Sequence, residues 1–211
     1  MKIKVCGLNE VANSKEVLQL QPDFIGFIFY DKSLRNCTIA KDVVKVLKVN
    51  TVKKVGVFVN KSIENVLRIV KDFGLDYVQL HGGESVEYCK QIKDEGIKII
   101  KAFSVDDSFD MDETNPFEFC DYFLFDTKGE NPGGNGVQFD WDVLKKYKGK
   151  TPFILSGGIE LQHSKPIKGL IDELPLLAVL DINSKFEIKP GLKRIDMVEE
   201  FINEFKMNKH V

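Results

Sequence analysis

The chain has 211 residues, 43% of them hydrophobic and 29% charged, with a formal net charge of −2. That length supports one sizeable core and favours one domain, residues 1–211, over two small units. The charge balance lacks the basic excess of a nucleic-acid surface, and no apolar run approaches the ~20 residues of a membrane span. Four scattered cysteines (Cys6, Cys37, Cys89, Cys120) form no CxxC pair, and the three histidines show no zinc spacing. No signal-peptide pattern opens the chain, so reduced thiols in the cytoplasm are expected.

The first strand, Lys2–Gly7, is a short β-branched run that ends in a thiol and a glycine. A helix over Ser14–Leu20 follows, with Asn9 or Asn13 as its cap. Phe24–Phe29 is apolar without alternation, as in a strand covered on both faces. After a polar loop carrying Lys32, Ser33 and Arg35, Ala40–Leu47 reads as a helix. The third strand is Lys54–Val59. Its helix, Ser62–Phe73, has Ile63, Val66, Leu67, Ile69 and Val70 at helical spacing and Gly74 as C-cap.

Asp76–Leu80 is the fourth strand and ends at His81-Gly82-Gly83; Glu84–Lys93 is its helix. Ile97–Phe103 is the fifth strand. The acidic stretch Ser104–Phe119 contains Pro116 and has poor periodicity, which predicts a short or irregular helix. The sixth strand, Asp121–Asp126, opens a glycine-rich loop over Thr127–Gly136, before a short helix at Phe139–Tyr147. Pro152–Ser156 is the seventh strand and ends in Gly157-Gly158, with a helix near His163–Leu170. Leu176–Asp181 is the eighth, followed by a polar loop through Gly191 and a last helix over Ile195–Phe205; residues 206–211 are a frayed tail.

Eight strands alternating with helices imply parallel strands with right-handed crossovers. Closed on themselves they make a single (β/α)8 TIM barrel. The structural rival is a doubly wound open sheet, but no GxGxxG follows the first strand. In such a barrel the site is built from strand C-termini and the loops beyond them. That rule selects Cys6, Arg35, His81, Asp126, Gly157, Gly158 and the stretch from Asp181 to Ser184.

Each has a bland alternative. Cys6 is either a small hydrophobe filling the barrel or, at a strand tip before glycine, a base whose thiolate form is stabilised. Asp126 either caps the next loop or, partly buried after an apolar run, donates a proton. Gly157 and Gly158 make a tight turn or let backbone N–H groups approach a phosphate, joined by Asn183 and Ser184. Arg35 is a solvated cation or an anion contact, and His81 a structural rim residue or a substrate contact. Gly134, Asn135 and Gly136 form a cover or a further set of backbone donors. Cys37, Cys89 and Cys120 receive no role.

Taken together, these segments resemble phosphoribosylanthranilate isomerase over nearly the whole chain. The resemblance is carried by Lys4-Val5-Cys6-Gly7, Gly26-Phe27-Ile28-Phe29-Tyr30, Lys32-Ser33-Leu34-Arg35 and Val78-Gln79-Leu80-His81-Gly82. It continues through Phe125-Asp126-Thr127-Lys128, Gly133-Gly134-Asn135-Gly136, Phe139-Asp140-Trp141 and Leu155-Ser156-Gly157-Gly158-Ile159. Leu180-Asp181-Ile182-Asn183-Ser184 and Pro190-Gly191-Leu192-Lys193 complete it. The chain departs from the family pattern at Leu34, Asn135, Asn183, Lys185 and Arg194.

The resemblance implies an Amadori rearrangement of N-(5-phosphoribosyl)anthranilate in tryptophan biosynthesis. Asp126 takes the place of the general acid and Cys6 that of the general base. Arg35 would meet the anthranilate carboxylate, His81 and Asp181 would contact the substrate, and Gly157, Gly158, Asn183 and Ser184 would hold its phosphate. No cofactor or metal is expected, and the only partner implied is the phosphorylated small molecule: no nucleic acid, membrane or obligate protein partner. The rival functions are a related sugar-phosphate isomerase and an inactive barrel that binds phosphate ligands.

Overall fold

In the computed structural model, residues 1–37, 52–128 and 140–206 are described. Eight parallel strands close into a barrel in chain order: β1 (Lys2–Val5), β2 (Phe24–Ile28), β3 (Lys53–Phe58), β4 (Tyr77–Leu80), β5 (Lys98–Val105), β6 (Tyr122–Thr127), β7 (Phe153–Leu155) and β8 (Leu177–Ile182). The seam joins the first strand to the last, with Lys4 opposite Asp181 and Val5 opposite Ile182. Among the described residues five α-helices lie between or after strands: α1 (Val11–Gln19), α2 (Ile63–Phe73), α3 (Val86–Asp94), α4 (Ser164–Glu173) and α5 (Ile195–Lys206).

Successive residues of a strand face opposite sides, and the short strands sort their side chains accordingly. Ile3, Val5, Val78, Leu80, Phe123, Phe125, Leu180 and Ile182 point outward into one continuous core shared with the helices. The inward positions stack in layers. Phe24, Val55, Tyr77, Ile100, Leu124, Ile154 and Val179 form an apolar plug. Two residues further along their strands, Tyr77 gives way to Gln79, Leu124 to Asp126 and Val179 to Asp181, all buried. The barrel is therefore filled by hydrocarbon at one end and by hydrogen-bonding groups at the other, which is where a site belongs.

Several expectations are corrected. α1 starts at Val11, with Glu10 as its N-cap residue and no side-chain cap. Asn13 and Ser14 are buried inside it, because the Asn13 amide is engaged elsewhere: it accepts from Lys193 N at 2.7 Å and donates to Lys193 O at 3.0 Å. The Ser104–Phe119 stretch first continues β5 to Val105, while the short, irregular helix expected there is a 3₁₀ turn over Met111–Phe117, in which Pro116 has no N–H to contribute. The helix expected at Phe139–Tyr147 is a 3₁₀ turn over Trp141–Lys146, started by the Asp140 carboxylate accepting from Asp142 N.

The stretch after β8, expected to be a polar loop, is a 3₁₀ turn (Ser184–Phe186) and an antiparallel hairpin, β9 (Glu187–Lys189) with β10 (Leu192–Lys193). Gly191 supports its reversal at φ +87°. Gly74 closes α2 in the left-handed conformation, as its sequence position predicts. The Ala40–Leu47 helix and the frayed tail beyond Lys206 lie outside the described residues.

Candidate active site

A cleft of about 660 Å³, counting its open mouth, occupies the C-terminal end of the barrel. Its lining includes Cys6, His81, Asp126, Gly157, Gly158, Asp181, Asn183 and Ser184, so most of the residues singled out from sequence share one cavity. Cys6 and Asp126 belong to strands three steps apart around the closed sheet and both face the cleft.

Cys6 follows β1 directly, 4% exposed, its backbone N donating to Ile182 O at 3.0 Å. Its neighbour across the ladder is Gly26. A Cβ there would lie 2.6 Å from the Cys6 sulfur and 3.1 Å from its Cα, so the glycine makes the room the thiol occupies. Beneath Cys6 on the same face of β1, the fully buried Lys4 pairs with Asp181 at 2.7 Å. Burial pushes the Cys6 thiol above its ordinary pKa and Asp181 adds to this, while Lys4 and Lys193 pull the other way. Cys6 is accordingly a thiol, its burial outweighing the pull of the Lys4 and Lys193 ammonium groups.

Asp126 is held at both oxygens. Oδ1 accepts from Thr127 N at 3.1 Å, and Oδ2 lies 3.1 Å from His81 Nε2. On its other side, His81 Nδ1 is 2.8 Å from Gln79 Nε2. An amide NH₂ can only donate, so Nδ1 accepts and Nε2 carries the ring proton toward Asp126. Gly157 closes this corner at φ +85°. A side chain there would meet Thr127 N at 2.4 Å and Asp126 Oδ1 at 2.9 Å. The second glycine of the pair, Gly158, is also left-handed, at φ +66°. Both therefore bring bare backbone to the cleft wall.

Arg35 does not line the cleft. Its Cδ lies over Gly7, 2.8 Å from where a Cβ would sit, and its guanidinium is bound to Glu187. Gly134, Asn135 and Gly136 lie outside the described residues. Sequence reasoning passed over Lys4 and Gln79, although the alternation Lys4–Cys6 and Gln79–His81 puts each on the face of its better-marked neighbour. Lys185, marked in sequence only as a departure from the family pattern, lines the cleft and pairs with Glu160 at 2.9 Å, while Glu187 and Lys193 were given no role there. Those two had no local signal, because a hairpin taken for an irregular loop has no inward face to read.

Fold and cleft define a (β/α)8-barrel protein with a thiol and a carboxyl opposed on its C-terminal rim. A family model described as N-(5'-phosphoribosyl)anthranilate (PRA) isomerase matches residues 3–204. The N-(5'-phosphoribosyl)anthranilate isomerase of Parabacteroides distasonis is 44% identical over 208 residues, covering 97% of this chain and 93% of that protein. The Phocaeicola vulgatus enzyme of the same name is 40% identical, covering 98% of each. The crystal structure of phosphoribosyl anthranilate isomerase from Thermotoga maritima superposes with a TM-score of 0.83 at 31% identity, over 97% of this chain and 98% of that one. A further isomerase structure, in complex with reduced 1-(o-carboxyphenylamino)-1-deoxyribulose 5-phosphate, gives 0.79 at 29% identity, over 97% of each chain. The chain belongs to the N-(5'-phosphoribosyl)anthranilate isomerase family, isomerases of tryptophan biosynthesis.

Proposed function

We propose that this chain catalyses the family's Amadori rearrangement, from N-(5-phosphoribosyl)anthranilate to 1-(2-carboxyphenylamino)-1-deoxyribulose 5-phosphate, with Asp126 as general acid and Cys6 as general base. The observation that carries the reading is the placement of both groups across one cleft, each held by buried partners. Asp126 protonates the furanose oxygen and the ring opens to an iminium. The Cys6 thiol first gives up its proton to solvent, and Lys4 and Lys193 favour the thiolate that results. The thiolate then takes the proton from C2, the electrons move to the iminium nitrogen, and the resulting enamine tautomerises to the ketone.

As acid, Asp126 must begin the cycle protonated. Turning the Gln79 amide over places Oε1, unpartnered in the structure, against an Nδ1–H of His81. Nε2 then becomes an acceptor for the proton on Asp126 until the substrate takes it. The remaining roles follow the cleft. Gly157, Gly158, Asn183 and Ser184 receive the phosphate with Lys185 beside them, His81 and Asp181 contact the sugar, and Arg35 meets the aryl carboxylate from above Gly7. Three buried thiols outside any disulfide, Cys6, Cys89 and Cys120, fit a reducing cytoplasm. Among the described residues no helix is long and apolar enough to cross a membrane.

The test follows the loss of substrate fluorescence with N-(5-phosphoribosyl)anthranilate generated in situ. Cys6→Ala and Asp126→Asn are each expected to lower kcat by about 10²–10⁴-fold with KM little changed, the usual scale for one acid or base. A Cys6→Ala enzyme with normal turnover would remove the thiol from the mechanism, and an active Asp126→Asn enzyme would do the same for the acid.

A further inference from the structure

Behind Gly7 lies a buried cluster in which Glu187 has no role in the acid–base reading. Arg35 Nε donates to both oxygens of Glu187 at 3.0 Å, and Nη2 donates to Oε2 at 2.6 Å. Glu187 is clamped from behind: its Oε1 also accepts from Lys193 Nζ at 2.7 Å and from Gly191 N at 3.1 Å. Lys193 Nζ donates in addition to Asn183 Oδ1 at 2.7 Å. The three side chains are 16%, 3% and 0% exposed for Arg35, Glu187 and Lys193.

Two features of this cluster point outward. Two cations share one carboxylate, so one positive charge has no counterpart inside it. Arg35 uses one face of its fork on Glu187, and among the described residues Nη1 has no protein partner. Ser33, whose Oγ accepts from Arg35 N, and Asn183 both line the cleft, so the cluster abuts it. A bidentate pair fixes the plane of the guanidinium as well as its position.

We propose that Glu187 is a positioning residue for substrate binding. Anchored by Lys193 and Gly191, it holds the Arg35 guanidinium in one plane with the Nη1 edge open, and the uncompensated charge of the cluster is neutralised by the aryl carboxylate of the substrate. The inference rests on the reading of Arg35 as the carboxylate contact. The site sees the aryl carboxylate in the same form before and after the reaction, so the cluster acts on ground state and transition state alike. It therefore sets KM and not kcat. Supporting the charge count, burial would raise the Glu187 carboxyl, yet Arg35 and Lys193 hold it below its ordinary value. Burial leaves Lys193 below the usual ammonium value despite Glu187, as for a cation that shares its counter-ion.

The experiment is a steady-state cycle on the full chain with N-(5-phosphoribosyl)anthranilate, using Arg35→Met, Glu187→Gln and the double variant. Glu187→Gln is expected to raise KM about 10-fold, equivalent to ~1.4 kcal/mol, with kcat within about 3-fold of wild type. Arg35→Met should raise KM at least as much, and the double variant should match Arg35→Met alone, because Glu187 acts through Arg35. A merely structural Glu187 would lower thermal stability without this split. Arg35→Met with unchanged KM would overturn the carboxylate reading itself. Arg35→Met with raised KM, but Glu187→Gln with unchanged or lowered KM or with an effect that multiplies that of Arg35→Met, would overturn the role of Glu187 alone. Arg35→Lys covers the case in which Glu187→Gln does not fold. Lysine keeps the charge but not the fork, so KM should rise as in Arg35→Met, and a wild-type KM would overturn the proposal.

Discussion

At the scale of single residues, the site is organised by what its neighbours leave out. Cys6 has space because Gly26 has no side chain, and the Asp126 corner closes because Gly157 has none. Gly26→Ala is a sharp test, since its φ is ordinary and the backbone tolerates alanine. The added methyl would sit 2.6 Å from the sulfur and 3.1 Å from backbone Cα, so the thiol must shift. The expected outcome is a folded protein with circular dichroism like wild type and kcat reduced about 10²-fold, the effect expected of a ~1 Å misplacement of a reacting group. Wild-type kcat in this variant would show that the position of the thiol is not critical. Cys6 and Asp126 were legible in sequence as rim candidates because each closes a strand-like run. The state of Cys6 was not: whether burial or Lys4 and Lys193 govern a thiol depends on groups up to 187 positions away in the chain.

At the scale of elements, α1 and the β9–β10 hairpin are tied together at Asn13. Its amide makes two buried hydrogen bonds to the Lys193 backbone, spanning 180 residues of sequence. Those bonds hold β10, and β10 carries Lys193 to Glu187. Asn13→Ala would leave a buried N–H and C=O unsatisfied, at about 1–3 kcal/mol for each such group. Urea unfolding should show a loss of about 2–6 kcal/mol. No measurable loss would mean that water replaces the amide and that the hairpin is held by other contacts. Asn13 reads in sequence as a helix cap, since asparagine near a helix start usually is one. Only the folded chain puts it in the first turn of the helix against another element. Where the sequence pattern was strong, as in Ser62–Gly74, helix and cap were read correctly. Where Pro116 or a six-residue segment limited the hydrogen-bond ladder, the expected helices became 3₁₀ turns.

At the scale of the whole molecule, the barrel closes between the chain's first and last barrel strands, and the seam carries a buried ion pair. Lys4 Nζ lies 2.7 Å from Asp181 Oδ2, with side chains 0% and 5% exposed. Removing one partner strands the other charge, a cost of about 3–5 kcal/mol. Lys4→Met should therefore lower stability by about that amount in chemical unfolding, while Lys4→Met with Asp181→Leu should recover most of it. Recovery of stability without recovery of turnover would assign the pair to catalysis; a double variant as unstable as the single one would show that the charges are needed to close the barrel.

By itself the sequence determined the alternation of strand and helix, and from it the parallel barrel and the rim on which strand ends must meet. It also marked Cys6, Asp126 and the paired glycines as candidates for that rim, because each follows a strand-like run adjacent in the chain. Only the tertiary structure decided that Arg35 is bound to Glu187, that Lys193 lies beneath Asn183, and that Gln79 holds His81 against Asp126. Periodicity reports which face of an element is buried. Partners brought together from opposite ends of the chain are selected by closure of the barrel, and closure is a property of all eight strands at once.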